Sequence, residues 1–199
     1  MRSKRYYLLW VSLFPVLASA QLSGTYTIDP SGTGTNNYTS FTSAISALTT
    51  SGISGAVTFN VKEGTYLETI IIDSIQGSSP INNITFQSDP SNIGAATIAA
   101  DTSSANNSLA TIRLSNCWNI SIKGLTIASY GTSFGRLIEY TGNVGNISIV
   151  DNTFLGSATN TNSNFAGIFY VSPVEAQGNW ILSGNTMTDV SYGMYIYGS

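Results

Sequence analysis

Asn119-Ile-Ser-Ile-Lys-Gly-Leu-Thr-Ile127, Asn146-Ile-Ser-Ile-Val-Asp-Asn-Thr-Phe154 and Asn179-Trp-Ile-Leu-Ser-Gly-Asn-Thr-Met187 are three versions of one nine-residue phrase. Their starts lie 27 and 33 residues apart. A short apolar phrase returning at an irregular but bounded interval marks a solenoid whose coils share a core and differ in loop length. The phrase describes how that core is stacked and carries no chemistry of its own.

The same alternation extends to both sides of the phrase. Val57, Phe59 and Val61 share one face, the turn Lys62-Glu63-Gly64 leads to Thr65-Tyr66-Leu67-Glu68, and Ile70-Ile71-Ile72 follows. Further short runs occur at Ile84–Phe86, Ala96–Ile98, Thr111–Leu114, Leu137-Ile138, Gly167–Val171 and Met194–Tyr197, with Gly, Asn, Asp or Ser between them. Strands this short predict an all-β chain, a right-handed parallel β-helix with coils of about 25 to 35 residues pairing at ~4.8 Å. Residues 56–199 hold about five such coils.

Residues 21–55 read differently. Gly24–Ile28 is a short strand, and Asp29–Asn37 is a loop of turn formers. Tyr38, Phe41, Ile45 and Leu48 then recur at helical spacing, predicting one amphipathic helix over Tyr38–Thr49. A helix ahead of a strand array covers the open end of the apolar interior.

Residues 1–20 have the pattern of an export signal peptide: Arg2, Lys4 and Arg5, an apolar stretch from Tyr6 to Leu17, then Ala18-Ser19-Ala20. That stretch is shorter than the roughly 20 residues a membrane span requires, and Pro15 interrupts it. Removing the signal leaves Lys62, Arg113, Lys123 and Arg136 against all ten acids, a net charge of −6. So weak a basic complement makes neither nucleic acid nor anionic membrane a partner. Charged residues make up 9% of the chain and hydrophobic residues 42%, so solubility rests on Ser, Thr and Asn while a packed core is retained. Cys117 is the single cysteine, which rules out an intrachain disulfide and suits a small buried apolar side chain.

The string from Tyr38 through Phe41-Thr-Ser-Ala-Ile-Ser-Ala-Leu48, then Val57-Thr-Phe-Asn-Val61 and Gly64-Thr-Tyr-Leu-Glu68, resembles the start of pectin-lyase-like β-helices, particularly pectin methylesterases. The Asn-Ile-Ser-Ile phrases are similar to the generic repeats of that superfamily. The Gly/Asn/Thr-rich start also resembles large exported proteins of Bacteroidetes-type bacteria. The resemblance implies export, a cell-surface or secreted location and a polysaccharide partner. It does not extend to esterase chemistry, because no Gln-Ala-Val-Ala-Leu-like or Asp-Phe-Ile-Phe-Gly-like segment stands where the family's aspartates and glutamines belong. The apolar strand just before Ser199 suggests a fragment, since an uncovered last coil exposes an unpaired edge.

Candidate chemistry is sparse. The chain has no histidine, which removes every scheme that depends on imidazole and leaves no zinc ligand set. No metal or other cofactor is expected; Asp151-Asn152 offers Ca²⁺ two neighbouring oxygens where six to eight ligands are usual. By analogy with polysaccharide lyases of this fold, Lys123, Arg113, Arg136, Glu139 and Asp151 are the charges on the clear coils that could take part in such chemistry; Lys123 points outward if Ile120 and Ile122 point inward, which suits a solvated lysine. Glu68 reads as a structural turn carboxylate. Arg136-Leu-Ile-Glu-Tyr140 contains a conflict, because either strand parity buries something ionisable. The sequons at Asn37, Asn83, Asn106, Asn119 and Asn146 include the phrase-initial asparagines, so stacked turns explain them better than glycosylation. Tyr195 and Tyr197 share a face with Tyr192 nearby, and either stack on sugar rings from outside or pack inside.

The functional expectation is an exported β-helix module, carbohydrate-associated or adhesive, without catalytic residues in this segment. Lys123, Tyr192, Tyr195 and Tyr197 are its candidate substrate-binding residues, and a polysaccharide or cell-surface glycan is its partner. The alternatives are the N-terminal part of a polysaccharide lyase or pectinesterase-like enzyme with its active site downstream, and a passive surface spacer.

Overall fold

Short alternating runs become strands because each has one apolar face to turn towards a shared interior and too few residues to bury it alone. The computed structural model describes residues 20–100, 110–131, 134–157, 163–171 and 176–197. It contains five coils. The first runs through β3 (Ile53–Val61), β4 (Gly64–Leu67) and β5 (Ile70–Ile72), preceded by β1 (Leu22–Ile28), β2 (Asn37–Tyr38) and α1 (Phe41–Ser51). The second is β6 (Ile84–Ser88), β7 (Ala96–Ala100) and β8 (Ile112–Ser115); the third is β9 (Trp118–Lys123), β10 (Thr126–Ser129) and β11 (Ile138–Thr141). The fourth is β12 (Val144–Val150), β13 (Thr153–Leu155) and β14 (Ala166–Val171), and the fifth is β15 (Ala176–Ser183), β16 (Thr186–Thr188) and β17 (Tyr192–Tyr197).

Each coil gives one strand to each of three parallel sheets. Sheet A has the order β15-β12-β9-β6-β3-β1-β2, sheet B β16-β13-β10-β7-β4 and sheet C β17-β14-β11-β8-β5. Successive coils advance by 27, 36, 27 and 33 residues along sheet A, from Val57 to Ile84, Ile120, Ile147 and Trp180. Three of the five coils carry the recurring phrase, and the predicted parallel β-helix is the observed one. The export signal at residues 1–20, except Ala20, lies outside the described residues, as do the Asn106 sequon and Ser199.

The interior is a set of in-register files. Phe59, Phe86, Ile122 and Ile149 form one in sheet A, Tyr66, Ile98, Ile127 and Phe154 one in sheet B, and Ile70, Ile112, Ile138 and Ile168 one in sheet C, all buried. Each such side chain contributes about 1.5–3 kcal/mol by leaving water. Phe59 and Phe86 stack with ring centroids 5.0 Å apart, so the file is held by ring contact as well as burial. Cys117 is also buried, and burial pushes its thiol up to about 12, as befits an inert apolar filler.

The helix starts later than its apolar spacing predicts. Ser40 takes an extended N-cap conformation, accepts the Ser43 N–H and completes a reciprocal capping box, which leaves Tyr38 in β2. α1 buries Phe41, Ala44, Ile45 and Leu48 in the common core, with the Phe41 ring edge-on to Tyr66 at 5.2 Å. Its N-terminus is tied to the first coil by Glu68, whose Oε1 accepts the Phe41 N–H at 3.0 Å and whose Oε2 accepts the Thr42 N–H at 2.8 Å. The turn carboxylate therefore supplies the negative charge that the first helical turn lacks. Glu68→Ala is expected to lower stability by about 1–2 kcal/mol in a urea titration. A cost within a few tenths of a kcal/mol, the level of an ordinary surface change, would show the tie to be incidental.

The phrase-initial asparagines form a ladder where sheet C turns into sheet A. Asn119 and Asn146 adopt φ of 60° and 51°, a left-handed conformation asparagine tolerates. Asn146 Nδ2 donates to Asn119 Oδ1 at 2.9 Å, Asn119 Nδ2 donates to Ser78 Oγ at 3.1 Å, and the Asn179 N–H donates to Asn146 Oδ1 at 3.0 Å. The turn reading of these residues is therefore the observed one. Asn83 aligns with Asn119 but is exposed, and Ser78 takes its rung. At Gly178, with φ of 74°, a Cβ would lie 2.1 Å from Asn146 Oδ1, so the ladder requires glycine there.

Candidate functional site

The outer face of sheet C gathers most of the chemistry this chain possesses. Register aligns Ile71, Arg113, Glu139, Phe169 and Tyr195 in one file across all five coils. Their neighbours Ile70, Ile112, Ile138, Ile168 and Met194 form the inward file, so strand alternation turns the first set outward. Glu139 is nonetheless only 5% exposed. The sequence conflict in Arg136–Tyr140 is thereby resolved: Ile138 and Tyr140 fill the interior, and Glu139 is buried on the outside, beneath its partners.

Those partners are two guanidiniums. Arg113 donates to Glu139 Oε2 through Nε at 2.8 Å and lies 2.6 Å from it through Nη2, while Arg136 Nη1 donates to Oε1 at 2.6 Å. Arg136 also donates through Nε to the Ser163 carbonyl at 3.1 Å. Its guanidinium carbon sits 3.3 Å from the centroid of the Phe169 ring and 4.8 Å from that of Phe134. Burial pulls this guanidinium below its ordinary value, Glu139 opposing the shift. Cation–π contact and two charge-assisted bonds hold the side chain in one orientation.

An aromatic platform continues from the network. Phe169 and Tyr195 lie parallel at 5.5 Å with an interplanar angle of 1°, and the Tyr192 ring is 5.3 Å from Tyr195. Tyr197, two residues beyond Tyr195 on the same face, is 59% exposed. Of the two readings open for the tyrosines, the outward one describes Tyr195 and Tyr197, while Met194 and Ile196 take the inward positions. Lys123 does not join them: it is exposed at the end of β9 in sheet A, in register with Gln87 and Val150. Nothing in the sequence groups Arg113, Phe134 and Phe169 with the tyrosines, because their proximity depends on register between coils. The nearest signals are the parity conflict at Arg136 and Glu139 and the short set of coil charges that includes Arg113.

The Asp151-Asn152 pair forms a corner between sheets A and B. Asn152 Oδ1 accepts the Leu125 N–H at 3.0 Å, so that oxygen already serves the backbone of the preceding coil. Among the described residues no grouping of three or more His, Cys, Asp or Glu could hold a metal ion, and no helix is long and apolar enough to cross a membrane.

Fold and site together define a parallel β-helix protein with an arginine-aromatic outer face. Solved structures similar to it include two crystal structures of the pectin methylesterase from Aspergillus niger. The penultimately deglycosylated form has a TM-score of 0.37 and 16% identity, covering 90% of this chain and 85% of that one. The deglycosylated form has a TM-score of 0.29 and 16% identity, covering 90% and 86%. No protein-family model matches the chain, and no curated protein matches it in sequence.

Proposed function

We propose that this chain is an exported β-helix module that holds a glycan against the outer face of sheet C. The observation that carries this reading is the platform of Phe169, Tyr195, Tyr192 and Tyr197 bordered by the Arg113–Glu139–Arg136 network. Aromatic faces offer flat, partly apolar surface suited to the C–H face of a sugar ring, and the phenol hydroxyls remain available for hydrogen bonds. The network holds two guanidiniums against one carboxylate, so the glycan it suits carries an acidic group. Both Glu139 oxygens are engaged by arginine, which makes this carboxylate an organiser of the face. The leader pattern at residues 1–20 supports delivery outside the cytoplasm.

Titration calorimetry with acidic oligosaccharides tests the proposal. Saturable binding that weakens as salt rises is expected, together with about a tenfold loss in Tyr195→Ala, the equivalent of ~1.4 kcal/mol. Unchanged affinity in Tyr195→Ala, or no saturable binding by any acidic glycan, would overturn it.

A further inference from the structure

The geometry points to a second glycan site, on sheet A, built for a neutral hydroxyl-rich chain. It stands independently of the sheet C reading. A groove of about 360 Å³ runs along the outer face of sheet A, lined by Asn119, Asn146 and Asn179, by Ser121 and Ser148, and by Ile181. It adjoins a hollow of about 310 Å³ that reaches Trp118 and Ser74, and Pro80, Asn119 and Asn146 border both.

Three features identify the occupant. First, no ionisable side chain lines either hollow, so the site has nothing to neutralise an acidic or basic ligand. Second, polar groups remain to be used. Asn146 bonds along the ladder, but its amide has more donor and acceptor positions than those bonds consume, while Asn119, 7% exposed, supports it from the coil before. The Ser121 and Ser148 hydroxyls, in register with each other, make no hydrogen bond to any described protein group. Third, apolar surface lies beside the polar row: Ile181, in register with Ser148, is 51% exposed, with Pro80 and the half-buried Trp118 at the border. Amides and hydroxyls beside apolar patches complement a molecule with equatorial hydroxyls and C–H faces.

The row repeats coil by coil at ~4.8 Å along the solenoid axis. A linear saccharide laid along that axis meets an asparagine and serine pair at two successive coils, Asn119 with Ser121 and Asn146 with Ser148, then Asn179 with Ile181, and several weak contacts act on one chain. The rungs are fixed by the backbone of three coils, so little side-chain freedom is lost on binding.

Calorimetry with neutral xylo-, manno-, cello- and laminari-hexaose tests this site. At least one should bind saturably, with an affinity unmoved by salt. Ser148→Arg places a long side chain in the groove from an outward strand position and is expected to weaken binding by about tenfold or more. Tyr195→Ala should leave this binding within about twofold, which separates the site from the one on sheet C. Ser121→Arg repeats the block one coil earlier, so a folding defect in one variant does not decide the outcome. Absence of binding by all four hexaoses, or wild-type affinity in whichever of the two arginine variants keeps the native melting temperature, would overturn the proposal. If neither variant keeps it, protection of the Ser121 and Ser148 amide region from hydrogen exchange by the hexaose decides instead, and no protection overturns it.

Discussion

Glu139→Ala is expected to cost about 3–5 kcal/mol of folding stability. The carboxylate accepts from Arg113 and Arg136 while only 5% exposed, and its removal leaves two partly buried guanidiniums facing each other without a counter-charge. Arg136 cannot escape to water cheaply, because it lies against Phe169 and donates to the Ser163 carbonyl. The cost is the penalty of an orphaned pair of cations, larger than the net worth of the network. It follows that Arg113→Met/Glu139→Leu/Arg136→Met should regain most of the loss while still failing to bind an acidic glycan. Urea denaturation of the two variants checks this. A loss below about 1 kcal/mol for Glu139→Ala, the level of an exposed pair, would mean that water reaches the network freely.

Asn152→Ala is expected to cost about 3 kcal/mol or more, from a side chain that touches no ligand surface. Asn152 is 1% exposed and satisfies two coils at once. Its Oδ1 accepts the Leu125 N–H, its Nδ2 donates to the Ile122 carbonyl at 2.9 Å and to Asn185 Oδ1 at 3.1 Å, and Asn185 Nδ2 donates in turn to the Ile149 carbonyl at 2.8 Å. Alanine would leave the buried Leu125 N–H without its acceptor, at about 1–3 kcal/mol, and would take one partner each from the Ile122 carbonyl and the Asn185 side chain. Asn152→Asp is expected to be nearly as costly, because it replaces the donor with a charge at a position closed to water. The midpoint of denaturant unfolding reads both variants. A change of a few tenths of a kcal/mol would show that other groups or water serve the corner.

Four of the five turns from sheet A to sheet B hold two residues, as Asp151-Asn152 does, whereas the second coil, whose advance is 36 residues, sets seven residues between Ser88 and Ala96 and eleven between Ala100 and Ile112. Loop closure penalises extra length only weakly, so variation accumulates where no ladder bonds one coil to the next.

The division between what was legible in the residues and what was not follows from the range of the forces involved. Strand alternation and the returning phrase are local patterns, and the fold class was readable because every coil solves the same burial problem with the same short apolar run. Ser40, Ser43 and Gly52 bounded the helix, yet its first turn was misplaced by the apolar spacing of Tyr38, since a capping box outweighs periodicity at a terminus. The platform of Phe169 with Tyr195, and the convergence of Arg113 and Arg136 on Glu139, could not be read in advance. They join Arg113 to Glu139 and Phe169 to Tyr195, each pair 26 residues apart, and a one-residue change of register would have turned each side chain to the opposite face. The sequence by itself determined that this chain coils, caps its first coil with a helix and lacks imidazole chemistry. Only the tertiary structure decided which coils' outward residues meet, because register between coils is set by how the whole core packs.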